Sequence, residues 1–99
     1  MDLYVRKDDD SLEKFNLDKL NDSIRKAFKL CNEPAPYAIT YFIATSIMLQ
    51  FSEPIYAKEH DNTISSADII NIVDKKLNRG GYVDEATAYV NYIREKKGV

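Results

Sequence analysis

No charged residue stands between Glu33 and Glu53, and this gap constrains the chain more than any other feature. The run from Pro34 to Ser52 is the one stretch worth testing as a membrane span. It holds two prolines, two threonines, two serines and a glutamine, short of the ~20 largely apolar residues a span needs. It reads instead as a helix over 36–52, with Pro36 suited to the first turn. Ile39, Phe42, Ile43 and Ile47 then lie on one side, and Ala38, Tyr41, Ala44 and Met48 on another. A helix that is apolar nearly all round is either central to a fold or forms a contact between subunits.

The rest of the chain supplies partners for that helix. Leu3 to Lys7 and Leu12 to Phe15 are β-compatible stretches separated by Asp8-Asp9-Asp10-Ser11, residues that favour turns. A hairpin over 3–15 follows, and an isolated hairpin is marginal in water, so it must lie on helices. Asn16 is a good N-cap for a helix over 17–31, whose Leu17, Leu20, Ile24, Ala27, Phe28 and Cys31 form one apolar face. Pro54 to Asn62 reads as a loop, with room for one helical turn. Ser65-Ser66-Ala67-Asp68 matches a capping box that opens a helix over 66–79, with Ile69, Ile72, Val73 and Leu77 inward. Gly80-Gly81 ends it. Asp84 is read as the cap of a last helix over 84–97, with Ala86, Tyr89, Val90 and Ile93 buried. The outline is mostly α: one domain, 1–99, of four helices covered by a short N-terminal β-hairpin.

Composition removes several classes of function. Fourteen basic and sixteen acidic residues leave a net charge of −2, which argues against a general nucleic-acid binder. Lys75, Lys76 and Arg79 on the third helix are the one hint of a DNA-binding regulator. The single cysteine, Cys31, permits no intramolecular disulfide and no thiolate-rich zinc site, and a cytoplasmic location is the default. Packing is its expected role. Charges at Asp2, Arg6 and Lys7 exclude a signal peptide at the N-terminus. His60, the only histidine, sits among Lys58, Glu59 and Asp61 and reads as a surface residue. The aspartate run lacks the spacing of a calcium loop and reads as a solvated turn. No nucleophile elbow, Walker loop or Ser-His-Asp set is present, so catalysis is not expected.

The informative segment is Val5 to Leu20, VRKDDDSLEKFNLDKL. Lys19 falls in the first turn of the first helix, where free N–H groups and the dipole favour an anion. Lys7, near the hairpin turn, is within reach of the same helix end. Two lysines and a helix start converging on one point would make a phosphate site. On spacing alone, two solvated surface lysines are the simpler reading.

Val5, Lys7, Asp9 and the run Phe15 to Leu20 resemble, without a gap, the start of the ATP-cone. This is the nucleotide-sensing domain at the N-terminus of ribonucleotide reductases and in the related reductase repressor. Ile64-Ser65-Ser66-Ala67-Asp68-Ile69 is similar to that family's third-helix start. Ala86-Thr87-Ala88-Tyr89-Val90-Asn91-Tyr92 is similar to its closing helix, nearest to the anaerobic ribonucleoside-triphosphate reductase type. The resemblance implies an ATP-cone-like fold and binding of ATP or dATP, with Mg2+, as an allosteric ligand. By position, Val5 and Lys7 would contact the nucleotide, Lys7 and Lys19 its phosphates, and Glu13 and Asn16 its base or sugar side. Ser66 would lie near the base. The expected partner is a reductase catalytic domain or subunit, with activity switched through oligomeric contacts and a homo-oligomer forming through Pro36–Ser52. The family's arginine after the lysine is Asp8 here, and its turn glycine is Asp10. Arg6 joins the candidate site as the neighbouring cation, although it points to the other face of an ideal strand. The alternative is a degenerate cone that serves as an interaction module without nucleotide.

Overall fold

The structure, a computed structural model, describes residues 2–97. Strands β1 (Tyr4–Arg6) and β2 (Leu12–Lys14) pair antiparallel, Val5 opposite Glu13. The turn between them closes with Asp10 N–H on the Lys7 carbonyl and Lys7 N–H on the Ser11 carbonyl. Asp10 takes a left-handed φ of 66°. Aspartate is among the few L-residues that visit that region readily, so the turn forms without glycine. Asp9 Oδ1 accepts from both the N–H and the hydroxyl of Ser11, which holds its carboxyl below the usual range.

Helix α1 (Leu17–Leu30) starts where Asn16, in extended conformation, accepts the Lys19 N–H at 3.1 Å. It ends at Cys31 with Asn32 left-handed, φ 58°, and the Glu33 N–H returned to the Phe28 carbonyl. Helix α2 (Tyr37–Phe51) follows; Pro36 stands outside it as N-cap rather than in its first turn. The segment read as a loop contains α3 (Pro54–Glu59), because Glu53 caps it by accepting the Ile55 and Tyr56 N–H groups. Strand β3 (Thr63–Ser65) was not expected either. It lies parallel to β1, Val5 opposite Ile64, and makes the sheet three-stranded in the order β2-β1-β3. Ser65 ends that strand and caps α4 (Ser66–Arg79), accepting the Asp68 N–H. Gly81, φ 87°, closes α4 with the Tyr82 N–H on the Leu77 carbonyl. Helix α5 (Val83–Lys97) begins one residue ahead of Asp84, which therefore lies in its first turn instead of capping it.

The fold is mostly helical, as expected, but with five helices and three strands among the described residues rather than four and two. Ile24, Ala27 and Phe28 of α1 meet Ile43, Ala44 and Ile47 of α2, Val73 and Leu77 of α4, and Ala86 and Tyr89 of α5. Leu3 and Ile64 press the sheet onto this core. Helix α2 is not surrounded. Thr40, Ile43, Ala44, Ile47 and Phe51 are buried, while Tyr37, Phe42 and Leu49 are exposed, Phe42 by 69%. The side that carries Ile39, Phe42, Ile43 and Ile47 is thus split between core and solvent.

Candidate functional site

A cleft opens where the β1–β2 hairpin crosses the start of α1 and faces α4 and α5. Strand alternation selects which hairpin residues enter it: Val5 and Lys7 share one face of β1, and Glu13, opposite Val5 in register, shares it too. These three line the cleft with Asn16 and Lys19 from the start of α1 and Ser66 from the start of α4. Six of the seven residues predicted from sequence therefore come together. Arg6 does not. Its side of β1 faces a separate cleft formed with Tyr56, His60, Thr63, Ser65 and Asp68.

The charged end of the cleft is organised by one carboxylate. Lys7 Nζ lies 2.7 Å from Glu13 Oε2, and Lys19 Nζ donates to Glu13 Oε1 at 2.7 Å. The two ammonium groups, Lys19 first and then Lys7, hold the Glu13 carboxyl down to about 2. A carboxylate whose pKa is lowered on folding stabilises above its ordinary value, and that contribution is lost as pH falls through the lowered one. Both ion pairs should thus persist from neutral pH to well below 4.5, the ordinary value, and break only near pH 2. A carboxyl-carbon NMR titration of Glu13 reads this directly; a midpoint near 4.5 would mean that the lysines do not hold it.

The rest of the lining is mostly apolar. Leu20, Ile69, Ile70 and Ile93 form it, with Phe15 beneath the hairpin and Tyr89 from α5. Sequence reasoning assigned Leu20, Ile69, Tyr89 and Ile93 to buried faces and did not single out Ile70, and periodicity carries no signal that separates a core position from a cleft wall. Ser66 at the start of α4 donates its hydroxyl to Asp8 Oδ1 at 3.4 Å. An anion thus occupies the hairpin end, at the position where the resemblance expects an arginine.

The other singled-out residues lie elsewhere. His60 follows α3, its ring stacked on Tyr56 at 3.8 Å and its Nδ1 2.9 Å from the Tyr56 carbonyl oxygen. Cys31 is half-buried at the end of α1; desolvation, followed by Glu85 and Asp84, pushes its thiol up. Among the described residues no three His, Cys, Asp or Glu side chains are placed to share a metal ion. No described helix is long and apolar enough to cross a membrane.

A small helical domain thus carries a three-stranded sheet beside a cleft lined by lysines, a carboxylate and a largely apolar surface. Residues 3–98 match the ATP cone domain, nearly the full length of the chain, and the chain belongs to that family. Domains of this family are regulatory and non-catalytic, and in general bind ATP or dATP allosterically. No curated protein matches the chain in sequence.

Proposed function

We propose that this chain is an allosteric domain that binds ATP or dATP in the cleft between the hairpin, α1, α4 and α5. The observation that carries the reading is the convergence of Lys7 and Lys19 on a single carboxylate, 2.7 Å from each. Two ammonium groups that meet on one anionic oxygen pair, beside the start of a 14-residue helix, are arranged to receive phosphate oxygens. Val5 and Asn16 border that end, and Mg2+ would arrive with the phosphates. The isoleucines of α4 and α5, with Ser66, suit the base.

The output proposed is control of a ribonucleotide reductase catalytic domain or subunit in the cytoplasm, nearest to the anaerobic ribonucleoside-triphosphate type. The exposed face of α2, with Tyr37, Tyr41, Phe42 and Leu49, is the surface proposed for the oligomeric contact. The same face supports a second reading, an interaction module that has lost its nucleotide. Asp8, hydrogen-bonded to Ser66, favours that reading locally because it adds a negative charge beside the cleft.

Titration with ATP and dATP by calorimetry separates the two readings. Saturable heat and a rise in unfolding temperature are expected. Absence of both at millimolar nucleotide would remove the first reading and leave the second.

A further inference from the structure

Tyr89 is 2% exposed, yet it lines the cleft. Its hydroxyl makes no hydrogen bond to another described residue, an unusual condition for a phenol so deeply placed. The wholly enclosed side-chain polar atoms without a partner, among the described residues, are Asn21 Oδ1 and Thr45 Oγ1, and the Tyr89 hydroxyl is not among them. Tyr89 belongs to the cleft lining, so a ligand in the cleft can reach its side chain. Desolvation pushes the phenol far above its usual pKa, so it stays neutral and can both donate and accept.

Its neighbours on that wall are Leu20, Ile69, Ile70 and Ile93. The ammonium groups that attract phosphate, Lys7 on the hairpin and Lys19 in the first turn of α1, are drawn together on Glu13. A charged group beside Tyr89 would be desolvated with no counter-charge on that wall, whereas a flat base would bury apolar area against the isoleucines. A base also carries polar edge atoms that an apolar wall leaves unmet.

We propose that Tyr89 is a ligand-binding residue of this cleft, its hydroxyl hydrogen-bonding the base of the bound nucleotide. The inference rests on the nucleotide reading given above. It requires that the free protein hold the hydroxyl in reserve, with no protein partner to lose.

Tyr89→Phe removes that one oxygen and keeps the ring. The variant and the parent chain are compared by calorimetry with ATP and with inorganic tripolyphosphate, and by thermal unfolding without ligand. ATP binding should weaken about three- to tenfold, the range for one net hydrogen bond, with tripolyphosphate binding unchanged. The unfolding temperature of the free variant should equal or exceed that of the parent. Equal ATP affinity in both proteins would overturn the inference. So would a lowered unfolding temperature with parallel losses for ATP and tripolyphosphate, which would mark a structural role. Failure of the parent chain itself to bind ATP would remove the nucleotide reading, and this inference with it.

Discussion

Replacing either cleft lysine, Lys7→Ala or Lys19→Ala, is expected to weaken ATP binding by about 1–3 kcal/mol, the range for hydrogen bonds to charged groups. That is roughly 5- to 150-fold in affinity. The free protein should hardly notice. Both side chains are about half exposed, and exposed ion pairs contribute about 0–1 kcal/mol. The two losses should not add, because both lysines hold the same Glu13 carboxylate. Removing one leaves Glu13 with a single partner, and incoming phosphates then compete with it for the ammonium that remains. A double variant that loses less than the sum of the two singles is the expected outcome, read by calorimetry. Unchanged affinity in both singles would put the phosphate site elsewhere.

These two lysines were legible in the sequence because both lie in local structure. The hairpin turn and the Asn16 cap are each set by residues within a few positions of one another, and strand alternation puts Val5 and Lys7 on one side. The same alternation sends Arg6 to the opposite cleft, so its inclusion as the nearest cation rested on sequence adjacency rather than geometry. The parts that were not legible depend on distant contacts or weak local signals. Strand β3 is three residues long and pairs in parallel with a strand near the other end of the chain. Nothing in Thr-Ile-Ser announces that partner. Helix α3 is six residues long and is capped by Glu53, a residue outside the usual set of N-caps. Helix α2 has apolar residues on every face, so its sequence could not tell which side the core would take. Tyr89 reads as an ordinary core aromatic until the fold places it in the cleft lining, its hydroxyl without a partner among the described residues.

The largest stability effect is expected at Phe28. Its ring is 1% exposed and meets Tyr82 edge-on, the centroids 5.2 Å apart. Tyr82 also receives the end of α4, through its N–H on the Leu77 carbonyl, and it stands immediately before α5. Phe28 therefore joins α1 to the connection between the two helices that form the apolar wall of the cleft. Phe28→Ala removes that contact and opens a cavity, at a cost of about 3–5 kcal/mol. For a domain with about 5–15 kcal/mol of total stability, this is a large fraction. Chemical denaturation should show a lowered midpoint with an unchanged slope if the native state keeps its shape. Ile55→Ala is the control. That side chain is 68% exposed on α3, and its loss should stay within about 0.5 kcal/mol. ATP then connects the core to the cleft. A ligand at a hundred times its dissociation constant adds about 2.7 kcal/mol to the native state, so ATP should restore much of what Phe28→Ala removes. Restoration by ATP, diminished in a protein that also carries Lys19→Ala, would tie the packing of α1 to the same site. A midpoint indifferent to ATP would mean that the cleft no longer forms once Phe28 is gone.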